Sequence, residues 1–459
     1  MQMIRRILAT AAKHSAPIEL AARHVVDVWP YARRQPRAFW DYYRLLNETE
    51  YATAERLQEL QRAMFVETVR HAYAASGFYR RLYDEHGVDV GHIASVEDAA
   101  KLPVVEKAML LEAGDVTVPI RGMRVGMTSG TSGSPFAFPV DPGADAMERA
   151  AIFHQWRKAG FTPGDERVEM RGFQTESIVH FPDLRIVRFS VVHMADAMGR
   201  YVDFLNRRRV AFIHGYPSAI AKFALLLREM DLRLDYQVTG IFLASEPVYD
   251  WQTDVIAGVI APRSIIAHYG TAERTVLGAW CEGARVYHML PLYGYCEAGP
   301  NGEILGTGFL NRATPFIRYR SNDVAIDVSH TPCARCGRSL TPIVGRIGGR
   351  IEDYLVDEKD ELIPPAVVTF PFKDLAAICS VQVVQDACKS ILLRCVTRPG
   401  PAELLQRDCA RLTADMQKML GRTIPVRFEF VDDIPVTEGG KFKWIISRVP
   451  KAVRMGVAK

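Results

Sequence analysis

Between about residue 140 and residue 330 the chain repeats one pattern. Stretches with helical spacing of apolar residues alternate with short apolar runs at 210–213, 240–243 and 264–267. One intervening stretch, 217–230, carries Ile220, Phe223, Ala224 and Leu227 on a single face. Such alternation is the pattern of β-α units and of a mostly parallel sheet, so the class is α/β. The flanks read differently. Residues 1–112 are mostly helical, with Leu57, Leu60, Met64, Val69 and Ala72 at helical spacing and Ser76-Gly77 ending that run. After about residue 346, strands at 380–384 and 391–396, a helix at 401–420 and a strand at 426–430 make a β-β-α-β pattern. That suits a separate α+β domain of roughly 110 residues.

A length of 459 residues is too great for one ordinary core and implies two or three domains. With 48% apolar and 24% charged residues and a net charge of +4, the chain has the balance of a soluble globular protein. No basic run dominates a segment, and Arg207, Arg208 and Arg209 read as a solvated helix end, so a nucleic-acid groove is not indicated. No stretch approaches the ~18 apolar residues of a membrane span. The segment from Met1 to Ala12 lacks an h-region and reads as a helix rather than a signal peptide. Eight cysteines in so long a chain suit a reducing cytoplasm. Cys379, Cys388, Cys395 and Cys409 read as buried apolar residues.

Four local motifs can carry chemistry. Thr128, Ser129, Gly130, Thr131, Ser132 and Gly133, followed by Ser134-Pro135, form a loop whose glycines let backbone N–H groups approach a polyphosphate and whose hydroxyls add donors. It is not a Walker A loop, and alone it also suits a surface linker. His268-Tyr269-Gly270-Thr271-Ala272-Glu273 follows an apolar strand, where parallel sheets place their sites; an aromatic ring there can stack on a base and Glu273 can hold Mg²⁺. The plain alternative for Glu273 is a helix cap. In Ile317 to Asp323, the carboxylate of Asp323 can accept both hydroxyls of a ribose, or simply decorate a charged turn. In Pro435 to Lys441, a Lys ending a Gly loop can reach a phosphate oxygen as a point charge, or lie in solvent.

Their order resembles the acyl-adenylate-forming superfamily: a Gly/Ser/Thr loop, Tyr-Gly-x-x-Glu, Arg-Tyr-Arg-x-x-Asp, Gly-Arg-x-Glu-Asp at 349–353, and Pro-x-Thr-x-x-Gly-Lys. The resemblance runs from about residue 70 to the end. Gly215-Tyr216-Pro217-Ser218, Ala244-Ser245-Glu246-Pro247 and Tyr269 through Glu282 make it most similar to the phenylacetate–CoA ligase branch, in particular to adenylating proteins of capsule and secondary-metabolite gene clusters. The resemblance implies an adenylation domain at 1–348 with mixed and parallel sheets, a hinge at 349–353, and a small mobile lid domain at 354–459. Residues 128–135 would wrap the β,γ-phosphates. Glu246 and Pro247 would line the adenine and acyl pocket, and Tyr269, with Gly270 and Thr271 beside it, would lie against adenine. Glu273 would serve Mg²⁺, Asp323 would hold the ribose, Arg350 would open the hinge, and Lys441 would act in the first half-reaction. Three positions depart from the family pattern: Ser134 where Lys is frequent, Ala272 where Ser or Thr is, and Asn322 in place of Gly.

The implied reaction uses ATP and Mg²⁺ to turn a small carboxylic acid into an acyl-AMP. An acceptor thiol, coenzyme A in the main reading, or an amine then takes the acyl group. An amide-forming or adenylyl-transferring ligase and a catalytically degenerate nucleotide-binding protein are the alternatives. No membrane or nucleic-acid partner is expected, and a homodimer is left open. Phe153, Trp156, Phe173 and Tyr216 can line an aryl pocket or sit in the core, and Arg171 can meet a polar group of the substrate or a surface carboxylate. Separately, Cys333-x₂-Cys336 before Gly337, with Cys281-x₆-His288 upstream, makes a Cys₃His set suited to tetrahedral structural Zn²⁺; Cys296 is a weaker substitute. A redox pair or four unrelated buried side chains are the alternatives.

Overall fold

The computed structural model describes residues 31–127, 136–171, 176–191, 194–299, 302–350, 353–363, 365–372, 375–437 and 442–450. The expectations for Met1 to Ala12, Phe173, the loop from Thr128 to Pro135 and Lys441 lie outside them.

The first part is helical, as its spacing requires: α1 (Arg37–Thr49), α2 (Ala54–Ala75), α3 (Gly77–Glu85) and α4 (Lys107–Ala113). The hydroxyl of Thr53 accepts the N–H of Arg56 and starts α2; Leu57, Phe65, Val69 and Ala72 form its buried face. These helices share one core with α5 (Pro142–Trp156), where Phe39, Phe65 and Tyr79 are buried together with Phe153 and Trp156. Burying each such ring contributes about 1.5–3 kcal/mol. Asp141 caps α5 through the N–H of Gly143, and Pro142 supplies a preset first turn. A short hairpin, β1 (Arg124–Met127) with β2 (Ala137–Val140), precedes α5.

Then come β3 (Arg167–Met170), β4 (Ile178–Phe181), β5 (Ile186–Phe189), α6 (Met194–Arg208), β6 (Phe212–Gly215), α7 (Pro217–Glu229), β7 (Gly240–Ala244), α8 (Asp250–Val259) and β8 (Ser264–Gly270). Five more strands follow without long helices: β9 (Leu277–Cys281), β10 (Val286–Met289), β11 (Gly294–Ala298), β12 (Glu303–Gly308) and β13 (Tyr319–Ser329). With β14 (Ile343–Arg350) they form a twelve-stranded sheet, ordered β11-β12-β13-β14-β10-β9-β8-β7-β6-β3-β5-β4. The pairs from β5 through β3, β6 and β7 to β8 are parallel. Everything from β9 to β14 is antiparallel, and β4 closes the far edge antiparallel. The sheet is thus mixed, and the expectation of a mostly parallel one holds only up to β8. Beyond it the connections are too short for crossover helices, so the strands meander.

A short β15 (Leu355–Val356) and β16 (Leu362–Ile363) pair antiparallel. They lead into a small sheet of β17 (Ile378–Gln385), β18 (Ile391–Thr397), β19 (Val426–Phe430) and β20 (Ile445–Ser447), covered by α9 (Ala402–Leu420). The β-β-α-β expectation fits; β20, parallel to β17, adds a fourth strand. Val381, Val383, Leu393, Cys395, Leu412 and Met416 form a core separate from that of the large sheet. Cys395 is buried and Cys409 half-buried, but Cys379 and Cys388 are exposed, against expectation. The alternation of β17 turns Cys379 outward, and Cys388 lies in the turn before β18. The small domain touches the large one where Arg398 pairs with Glu229 of α7 at 2.7 Å and where Trp444 meets Trp251 of α8 edge-on at 5.7 Å.

Candidate functional site

The site gathers at the carboxyl end of β8. Tyr269 and Gly270 are the last residues of the strand itself rather than part of the loop after it. The loop 271–275 is then held from three sides. The hydroxyls of Thr271 and Thr275 lie 3.0 Å apart, and the N–H of Thr275 donates to the Thr271 hydroxyl. Arg274, at φ +57, ties the loop to α5 through Asp145 at 2.6 Å and Glu148 at 2.8 Å. From above, β11 and β12 pass so close that a Cβ on Gly294 would fall 2.0 Å from the carbonyl oxygen of Thr275, and one on Gly308 2.4 Å from that of Arg274. Only glycine allows that approach. The result is a rigid seat for Glu273, while Ala272 faces outward.

Two short hydrogen bonds connect this seat to β13. The Tyr269 hydroxyl donates to Oδ2 of Asp323 at 2.7 Å, and the Tyr319 hydroxyl donates to Oε1 of Glu273 at 3.1 Å. Asp323 stands opposite Arg350 in the β13–β14 ladder, with Oδ1 3.6 Å from the guanidinium Nε. Asp323 is therefore a strand residue, not part of a charged turn. Its neighbour Asn322 adopts φ +62. That left-handed conformation explains why Gly suits the position and why Asn, which tolerates it, can replace Gly. Burial raises the pKa of Glu273, and the nearby charge of Asp323 adds to the rise, while the bond from Tyr319 and the charge of Arg350 oppose it. Burial, with Asp323 beside it, also keeps the Tyr269 phenol protonated.

Glu246 stands apart from these carboxylates. Its Oε2 accepts the N–H of Ser218, the second residue of α7, so it anchors a helix N-terminus. Pro247 lies beside Gly349, whose Cβ, if present, would come within 3.6 Å of its ring. Tyr269, Glu273, Asp323 and Arg350 thus converge. Thr271 spends its hydroxyl within its own loop, and Thr128 to Gly133 and Lys441 fall outside the described residues. Tyr319, named only as part of a motif, turns out to hold Glu273. An aromatic four residues before Asp323 was the available signal.

The proposed clip also assembles. The ligand atoms of Cys281, His288, Cys333 and Cys336 all lie within 4.8 Å of one another. Cys281 ends β9 and His288 lies in β10, so a hairpin supplies two donors, and the turn after β13 supplies the other two. His288 Nδ1 is 2.9 Å from the carbonyl oxygen of Leu340, which leaves Nε2 facing Cys336 Sγ at 3.3 Å. The contact of Nδ1 with the Leu340 carbonyl fixes the ring as metal-binding histidines are usually fixed. Arg338 donates to Cys336 Sγ at 3.2 Å and also lies 3.9 Å from Glu50 at the end of α1. Arg157 and Lys158, beyond α5, pair with the same buried Glu50. Cys296 sits in the core beneath the sheet, away from the cluster.

Comparison with known proteins agrees with this architecture. The CapK C-terminal domain family matches residues 355–448. Protein CapK of Staphylococcus aureus is 21% identical over 413 residues, 86% of this chain and 90% of its own. A crystal structure of 2-hydroxyisobutyryl-CoA ligase in the postadenylation state, in complex with R3-HIB-AMP, superposes with a TM-score of 0.68 at 21% identity, covering 89% of this chain and 92% of that one. The phenylacetate-coenzyme A ligase of Aromatoleum evansii is 35% identical over 360 residues, 70% of this chain and 77% of the ligase. Identity at that level, carried across most of both chains, means that the chain belongs to the phenylacetate–coenzyme A ligase family of adenylate-forming ligases.

Proposed function

We propose that the chain uses ATP and Mg²⁺ to convert a carboxylic acid into an acyl-AMP and passes the acyl group to coenzyme A. The convergence of Tyr269, Glu273, Asp323 and Arg350 at the end of β8 carries this reading. Asp323 binds the ribose hydroxyls, with Tyr269 and Arg350 fixing its carboxylate. Tyr269 lies against adenine, near Pro247. Glu273, when ionised, would hold Mg²⁺, which would supply positive charge against the phosphate oxygens. The loop at 128–133 wraps the phosphates, and Lys441 approaches them from the small domain. A carboxylate oxygen of the acid attacks the α-phosphorus, the acyl–phosphate bond forms, and pyrophosphate leaves. The thiolate sulfur of coenzyme A then attacks the acyl carbon, and AMP leaves. The protein forms no covalent bond; it positions the partners and offsets charge. Residues 349–353 act as the hinge on which the lid, 354–459, swings between the two steps.

Cys281, His288, Cys333 and Cys336 suit structural Zn²⁺. Three thiolates and one imidazole form a closed tetrahedral donor set, and nothing in the set leaves an open position for chemistry. The ion would pin the β9–β10 hairpin to the turn between β13 and β14.

ATP–pyrophosphate exchange across aryl, alkyl and amino acids tests the first step. At least one acid should support exchange, and Lys441→Ala should slow it roughly 10²–10³-fold without unfolding the chain. Omitting coenzyme A should stop thioester formation but not exchange. Exchange at the wild-type rate in the lysine variant refutes the assignment.

A further inference from the structure

Three rings meet between α5 and the large sheet, just below the ends of the central strands. His214 is the third residue of β6, His268 the fifth of β8, and Trp156 the last of α5. The Trp156 ring lies 4.9 Å from that of His214 and 6.2 Å from that of His268, and the two imidazoles are 6.1 Å apart. Trp156 also stacks flat on Phe242 at 4.3 Å, which fixes its plane. His214 is 4% exposed and Trp156 2%. Each of the three rings has a buried nitrogen with no hydrogen-bond partner among the described residues: Nε2 of His214, Nδ1 of His268 and Nε1 of Trp156. Buried polar atoms are nearly always paired, so three orphans around one place call for a ligand group.

The donor and acceptor roles follow from the neighbours. His214 Nδ1 lies 3.3 Å from Oε1 of Glu169. Burial alone would raise the pKa of Glu169, but His214 and Arg167 hold it well below the ordinary range, so it stays an ionised acceptor. Nδ1 of His214 therefore carries the proton, and Nε2 presents a lone pair. Burial lowers the pKa of His214 to about 4, which keeps the ring neutral. The indole N–H of Trp156 can only donate. Arg171, at the end of β3, lies over the Tyr216 ring at 5.9 Å. Its charge reaches both histidines, and among the described residues it forms no ion pair. One acceptor thus stands beside two kinds of donor. A hydroxyl group both donates and accepts; an apolar tail does neither.

We propose that these three rings close the tail end of the acyl pocket and select a carboxylic acid bearing a hydroxyl group, which donates to Nε2 of His214 and accepts from Nε1 of Trp156. The inference rests on the ligase reading above. It makes His214 and Trp156 specificity-determining residues, with Glu169 positioning His214. An acid lacking the hydroxyl would leave Nε2 of His214 and Nε1 of Trp156 unpaired, the situation in which polar sites discriminate most strongly.

The test is pyrophosphate exchange by the full chain with matched acids, each aryl or alkyl acid set against its hydroxylated counterpart and against one with a second carboxylate. The hydroxylated member should exceed its plain counterpart in kcat/KM by roughly a hundredfold or more. His214→Phe should bring that ratio close to unity, and His214→Asn, which keeps an acceptor, should restore part of it. If His214→Phe does not fold, Trp156→Phe keeps the aromatic bulk and should reduce the ratio in the same direction. Equal use of both members, preference for the plain acid or for the second carboxylate, or an unchanged ratio in the folded variants overturns the inference alone. Absence of exchange with every acid overturns the ligase reading, and this inference with it.

Discussion

Glu273 holds a charge where its surroundings disfavour one. Its folded pKa is raised, so the stability linked to it is complete at low pH and is lost as pH rises through that pKa. An ionised side chain there therefore costs stability, and on the proposed reading Mg²⁺ with ATP offsets the cost on binding. Glu273→Gln should raise the thermal midpoint of the unliganded chain by about a degree or two and slow exchange roughly 10²–10³-fold. Exchange by the native chain should begin to fall with decreasing pH above the range of an ordinary glutamate, because protonation removes the Mg²⁺ ligand. A calorimetric scan and a pH–rate profile check the two halves, and a glutamine variant with lowered midpoint and undiminished exchange contradicts both. Residue chemistry of this kind was partly legible in the sequence. Glu273 and Asp323 announced themselves as carboxylates in ordered motifs, and the structure unites them. Tyr319 did not, because its hydroxyl finds Glu273 only after β13 is laid beside the β8 loop. Nor did the helix-anchoring part of Glu246, which depends on how α7 begins.

Among the elements, those built from local spacing were read best. The helices α2, α7 and α9 and the strands β17, β18 and β19 fall within a few residues of expectation. Strand direction was not readable beyond β8, since pairing between residues far apart in the chain leaves no local periodicity, and β20 is too short to register. The clip is the exception among long-range features, because cysteine and histidine are few enough for spacing alone to suggest a set. Its turn lies between β13 and β14, so its loss should be felt along that hairpin. Cys333→Ser should leave less than half an equivalent of zinc on protein purified without added metal and lower the thermal midpoint by about 5 °C or more. Metal analysis with thiol titration and calorimetry measure both. Full thermal stability in a zinc-free variant with reduced thiols would remove the structural role.

At the scale of the whole chain, the described residues join the small domain to the large one near residue 354, where Tyr354 packs on Val324, and farther out at the Arg398–Glu229 pair and the Trp444–Trp251 edge. Both partners of the ion pair are about one-third exposed, so the pair is worth little to overall stability. On the proposed reading, its leverage lies in the balance between two domain positions. Arg398→Ala should slow adenylation about two- to fivefold in single-turnover experiments while leaving transfer from preformed acyl-AMP as fast or faster, with no change of midpoint beyond about a degree. Slowing of both steps alike points instead to a general loss of structure. The rung where Asp323 faces Arg350 has a mechanical corollary. Arg350 is at once the last ladder residue of β14 and the first step of the tether to the lid. Letting go of the sugar and pivoting the small domain thus share a single gear tooth, and on the proposed reading nucleotide exit and lid travel run on one clock.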